Sequence, residues 1–102
     1  MPKELDIEFH RAMIDIYERA RNEANYVATR YIQMVAEHGG VESAKILINS
    51  AKPSDGYTAL WEKGRLDITV EALVQHPKWS PLFSPEEIKK ARKRLIDYGY
   101  KI

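Results

Sequence analysis

Between Lys3 and Gly39 the chain contains neither glycine nor proline, and its apolar residues fall at Leu5, Phe9, Ala12/Met13, Ile16, Ala20, Ala24, Val27/Ala28, Tyr31/Ile32 and Val35. Steps of three and four sustained over that distance define one amphipathic face at helical period. Glu4, Asp6 and Glu8 put negative charge where it favours the positive pole of a helix. The span 5–38 therefore predicts a long N-terminal helix, continuous or gently bent. Its one candidate break is Asn22-Glu23-Ala24-Asn25, where the alternative is two helices joined, because asparagine competes with the helix through local side-chain bonds. Unbroken, such a helix would be about 50 Å long. A single domain of 102 residues does not need that length, which predicts either a kink or a homodimer.

Gly39-Gly40 supplies the stop, and Val41, Ala44, Leu47, Ile48 and Ala51 carry the same spacing into a short helix that Pro53 ends. Residues 53–74 hold two more helix starts. Ser54 or Asp55 can cap a helix over 55–63 that Gly64 closes, and Asp67 or Thr69 can cap one over 67–76 that Pro77 terminates. Helices this short are unstable alone. Their stability is expected from packing Leu60, Trp61, Leu66, Val70, Leu73 and Val74 against the flanking segments, and the core is placed there. Lys78-Trp79-Ser80-Pro81-Leu82-Phe83 reads as a loop pinned by its large apolar side chains. In Ser84-Pro85-Glu86-Glu87, serine is the N-cap, proline stands at the first helical position and Glu87 completes a capping box, opening a C-terminal helix that Gly99 stops. No segment alternates with period two. The expected fold is all-α, one domain over residues 1–102 with four to five helices. The long N-terminal helix packs on two short central helices and a basic C-terminal one.

Composition limits the chemistry. With 44% hydrophobic and 30% charged residues the chain has a globular balance. It has no cysteine, which excludes disulfides, thiolate catalysis and cysteine-based metal centres. The N-terminal residues are charged and lack an apolar leader, and no run of about 18 apolar residues occurs, so a cytoplasmic protein without membrane contact is expected. Net charge is +1, but residues 1–51 hold six Lys/Arg against eight Asp/Glu and residues 52–102 hold ten against seven, about −2 and +3. An electrostatic partner would meet the C-terminal half.

That half carries Lys89, Lys90, Arg92, Lys93 and Arg94 around Ile88, Ala91 and Leu95. The cations could follow a nucleic-acid backbone. They equally suit a solvated helix face near the negative pole of its dipole, and no aromatic residue interrupts the run to stack on bases. A helix-turn-helix over 55–76 is disfavoured because Ile68, Val70, Ala72, Leu73 and Val74 would face the groove. His10, His38 and His76 are far apart and show no metal-ligand spacing, Gly39-Gly40 lacks the lysine of a phosphate loop, and no serine sits in a nucleophile elbow. No catalytic residue, metal ligand or cofactor site is expected. An enzyme would require His10, His38 or Asp55 to meet in space. Asp55-Gly56-Tyr57 with Trp61 and Lys78-Trp79 could instead line an aromatic groove for a partner, the other reading being that both tryptophans are core anchors. Arg65 is expected to pair with a carboxylate that ties this centre to a flanking helix.

Asp55-Gly56-Tyr57-Thr58-Ala59-Leu60-Trp61-Glu62-Lys63-Gly64-Arg65-Leu66-Asp67 and Ala91-Arg92-Lys93-Arg94-Leu95-Ile96-Asp97-Tyr98-Gly99-Tyr100, with Phe9-His10-Arg11-Ala12-Met13 and Ala28-Thr29-Arg30-Tyr31, resemble a family of small prokaryotic proteins. The similarity covers nearly the whole chain. No activity is established for that family, so the resemblance implies a prokaryotic source and transfers no site. The sequence reading is a non-enzymatic interaction module, adaptor or regulatory, with a protein partner or a second copy of itself meeting Tyr57, Trp61, Arg65 and Trp79. The alternative is a sequence-independent nucleic-acid binder using Lys89, Lys90, Arg92, Lys93 and Arg94.

Overall fold

The computed structural model describes residues 4–101. Among them are six α-helices and no strand: α1 (Glu4–Ala24), α2 (Thr29–His38), α3 (Gly40–Asn49), α4 (Asp55–Glu62), α5 (Val70–Leu73) and α6 (Pro85–Asp97), with 3-10 turns at Leu66–Ile68 and Pro77–Leu82. The all-α class holds, but the helix count exceeds the four to five expected. The N-terminal span divides in two, and the 67–76 segment forms a 3-10 turn followed by a single α-helical turn.

The continuous N-terminal helix is corrected. α1 ends at Ala24, and Asn25 takes φ +52°, a left-handed conformation that asparagine tolerates better than most residues. The Tyr26 amide then donates back to the Ala20 carbonyl at 2.9 Å. Packing explains the break. The Tyr31 hydroxyl of α2 donates to the Met13 carbonyl of α1 at 2.7 Å, and Val35 is buried, so the stripe of α2 is covered by its own chain. The longest dimension of the described chain is 39 Å, which a 50 Å rod would exceed. With the rod gone, helix length no longer argues for a dimer.

The two glycines after α2 do different work. Gly39, at φ +83°, returns its amide to the Val35 carbonyl at 2.9 Å and reverses the chain. Gly40 sits where α3 crosses α1: a Cβ there would lie 2.6 Å from the His10 Cα. Its amide donates to His10 Nδ1 at 2.9 Å, fixing the imidazole across the crossing.

The local start signals act as read. Ser54 accepts from the Tyr57 amide, Thr69 from the Ala72 amide, and Ser84 with Glu87 forms the full capping box. The 78–83 stretch is pinned as expected, though wound into a 3-10 turn. Trp79 and Phe83 each meet Phe9 edge-on at 5.2 Å between ring centroids. The main core therefore runs along α1 from Phe9 and Met13 to Ile16, Ala20 and Ala24, under Val35, Ala44, Ile48, Ile68, Val70 and Val74. A smaller cluster joins Tyr57, Leu66 and Leu95. Trp61 is corrected: it is 45% exposed, not a core anchor, and Leu73 is only partly buried. No helix among the described residues is long and apolar enough to cross a membrane.

Candidate functional site

α4 is attached to the C-terminal end of the molecule. The Tyr57 hydroxyl donates to the Arg94 carbonyl and the Trp61 indole N–H to the Tyr98 carbonyl, both at 3.1 Å, and both rings meet Tyr98 edge-on. On its other side α4 faces the elbow between α1 and α2 through its first turn. Small residues line the space there: Ala20 and Ala28 on the elbow side, Gly56 on α4. A Cβ on Gly56 would sit 3.7 Å from the Tyr26 ring, in ordinary contact, so the approach is set by that ring and not by close helix packing. A cleft of about 490 Å³ is left between them.

Its walls are mostly apolar, from Ile16, Val27, Met34, Leu47, Leu60 and Ile68, with rings contributed by Tyr26, Tyr31 and Tyr57. Arg30 and Asp55, opposite in charge and both exposed, stand among the lining residues with Val27, which is 56% exposed. The charged group inside is Glu71, only 3% exposed. Its Oε2 accepts from Arg94 Nη1 at 3.0 Å. Arg94 also donates to the Leu47 carbonyl at 3.2 Å and the Ser50 carbonyl at 2.7 Å, which bind α6 to the end of α3. Burial pushes the Glu71 carboxyl up from its ordinary value, more than Arg94 and a backbone N–H bring it down. Burial, reinforced by the charge of Glu71, likewise raises the Tyr31 phenol, and the same two causes lead in raising Tyr57.

The four residues expected to meet a partner do not share a surface. Tyr57 is buried and lines the cleft, whereas Trp79 is buried against Phe9 in the main core under the Lys78 ammonium, 5.0 Å from its ring. Trp61 is exposed beside Tyr98. The aromatic groove joining Tyr57, Trp61 and Trp79 is therefore not assembled. Arg65 meets its expectation. Its guanidinium reaches Glu23 on α1 at 2.7 Å and Asp67 at 3.0 and 3.1 Å, while Arg19 bonds Glu23 at 2.9 Å and lies 3.6 Å from Asp67. Hydrogen bonds from Arg19 and then Arg65 hold the Glu23 carboxyl at about 2. This network fastens the end of α1, next to the elbow, to the 66–68 turn.

On α6, Lys89, Lys90, Arg92 and Lys93 are exposed, and Arg94 is withdrawn into the pair with Glu71. Lys93 pairs with Asp97 at 2.8 Å and Lys90 reaches the Asn49 carbonyl at 3.3 Å. His10 and His38 line a separate shallow hollow with Asp6, Arg11 and Glu42, away from Asp55 in the cleft. His76 accepts from the Lys78 amide at 3.1 Å and caps the second 3-10 turn. Among the described residues no group of three or more His, Asp or Glu is placed to hold a metal ion.

The cleft and Glu71 escaped the sequence reading. Glu71 falls between Val70 and Ala72 in a short apolar segment, and a carboxylate at such a position is itself a signal: it must find a cation or a ligand. The cation, Arg94, was grouped with its charged neighbours. No family model, curated protein or solved structure matches the chain.

Proposed function

We propose that the chain is a small-molecule-binding module whose working part is the cleft between the α1–α2 elbow and the first turn of α4. The carrying observation is an opening of about 490 Å³, apolar over most of its wall, with one buried carboxylate inside it. Ligand sites have this size and this mixture of apolar wall and few fixed polar groups. The fixed scaffold supports the same reading, since Arg94 braces α6 to α3 and the Arg65 network braces the elbow. This reading departs from the protein-interaction role expected from the sequence: the contact proposed is with a small molecule in the cleft, not with a protein partner at Tyr57, Trp61, Arg65 and Trp79.

The test is a fragment screen read by amide chemical shifts. Small aromatic and aliphatic compounds should perturb residues 26–31 and 53–57 together, and Val27→Trp, which fills the mouth, should abolish the shifts. A screen in which nothing moves those two segments sinks the proposal.

A further inference from the structure

We infer that the ligand is a compact apolar molecule bearing a protonated amine, its ammonium bonded to Glu71 and its body against the rings of Tyr26, Tyr31 and Tyr57. This rests on the cleft being the binding site. It follows from which hydrogen-bonding groups of the wall are already engaged. The Tyr31 and Tyr57 hydroxyls donate to the Met13 and Arg94 carbonyls, and Thr69 donates to the Leu66 carbonyl at 2.6 Å. The Ser54 hydroxyl accepts from the Tyr57 amide. Tyr26, whose hydroxyl has no partner among the described residues, stands beside Gly56 at α4's first turn. The wall thus offers ring surface, the Glu71 carboxylate as its buried charged group, and two hydroxyls still able to donate, Tyr26 and Ser54, both neutral and only half-buried.

That carboxylate is short of compensation. A carboxylate has room for about four hydrogen bonds. Glu71 has one side-chain partner, Arg94 Nη1, and Arg94 is not among the residues that line the cleft. Arg94 is itself partly satisfied by the Leu47 and Ser50 carbonyls. An ammonium placed in the cleft against Glu71 would form a charge-assisted hydrogen bond, which is strong in a dry site. Tyrosine faces add cation–π attraction. A carboxylate ligand would meet Glu71 as a like charge, with only Arg30 on the exposed rim to favour it.

Three probes of nearly one shape separate the possibilities: 2-phenylethylamine, 2-phenylethanol and 3-phenylpropanoate, titrated into the wild-type protein at neutral pH with amide shifts as readout. The amine should bind at least about tenfold more tightly than the alcohol, the usual margin for a hydrogen bond to a charged group, with the carboxylate weakest. In Glu71→Gln that preference should fall to about twofold. Because this variant leaves Arg94 without its counter-charge and can lose the fold, the wild-type series decides. Val27→Trp, on the exposed rim, should lose all three probes. Amine and alcohol binding alike at residues 26–31 and 53–57 would overturn the amine and leave the cleft standing. Tightest binding of the carboxylate would overturn it in favour of Arg30. Silence from all three at those residues would remove the cleft proposal and the amine with it.

Discussion

The two ends of α1 meet opposite surroundings. Near its start Phe9 and Met13 are wholly buried, with Trp79 and Phe83 packed edge-on against the phenyl ring. Near its end the same stripe continues as Ile16, Ala20 and Ala24, and there Ile16 and Ala20 line an open cleft together with the Tyr26 ring of the elbow and Gly56 of α4. Both ends obey one apolar spacing. What differs is side-chain volume, which falls from phenylalanine to alanine along the stripe. Spacing says which face is turned inward; volume says whether anything is left to fill the space. Both of the ion-pair systems described above lie toward the open end, buried for Glu71–Arg94 and half-exposed for the Arg65 network, while at the closed end Lys78 pairs with Glu8 on the exposed surface at 3.2 Å.

Phe9→Ala should be the most damaging change, removing the ring at the centre of the closed end and costing about 3–5 kcal/mol. Urea unfolding measures this, and a loss below about 1 kcal/mol would mean that end is not close-packed. Arg94→Met should cost about 3 kcal/mol by leaving the buried Glu71 carboxyl without its counter-charge and hydrogen-bond partner. Joining it to Glu71→Leu should recover most of that loss. A double variant as unstable as the sum of the singles would show that the two residues do not act as a pair.

Glu87→Gln keeps the capping box but removes the charge facing Lys45 at 2.8 Å. Burial opposes ionisation of Glu87, yet Lys45, the Ser84 amide and Asn49 outweigh it and bring the carboxyl from 4.5 to about 2. A carboxyl lowered by folding stabilises above its unfolded value, and that stability is lost as pH falls from about 4.5 through about 2. The variant should therefore lose about 1–2 kcal/mol at neutral pH, with a flatter acid limb between those values. An unchanged pH profile would refute the assignment. At the open end Val27→Ala should stay within about 0.5 kcal/mol, because the side chain already faces solvent. A loss several times larger would mean that the elbow closes over the cleft.

Much of this framework was legible, since caps and stops are written in adjacent residues. Ser54, Thr69, Ser84 and Glu87 act where their chemistry put them, and Arg65 found its carboxylate on α1. The break at Asn25 was visible only as a competing option. Asparagine tolerates the left-handed region without requiring it, and the choice was made by Tyr31 reaching Met13, eighteen residues back. Glu71 and Arg94 are twenty-three residues apart on different helices, so no spacing rule links them. The cleft is less legible still. Its walls come from five parts of the chain, and a vacancy between elements has no residue of its own. Of the two tryptophans offered as anchors only Trp79 is one, and Tyr57 and Trp79 do not share the groove suggested for them, because the sequence shows their apolar size but not that they belong to separate clusters.

Trp61 and Trp79 have one further consequence, an optical one. Trp79 is 7% exposed within the closed end and Trp61 is 45% exposed on α4, the helix that bounds the cleft. The chain thus carries one fluorophore for each of the regions compared above. Trp61→Phe should leave a blue-shifted emission that iodide barely quenches, and Trp79→Phe a red-shifted one that iodide quenches readily. A ligand that shifts α4 on entering the cleft would then alter the second signal while leaving the first unchanged, so filling of the cleft and loosening of the core could be followed separately in the two unlabelled single-tryptophan variants.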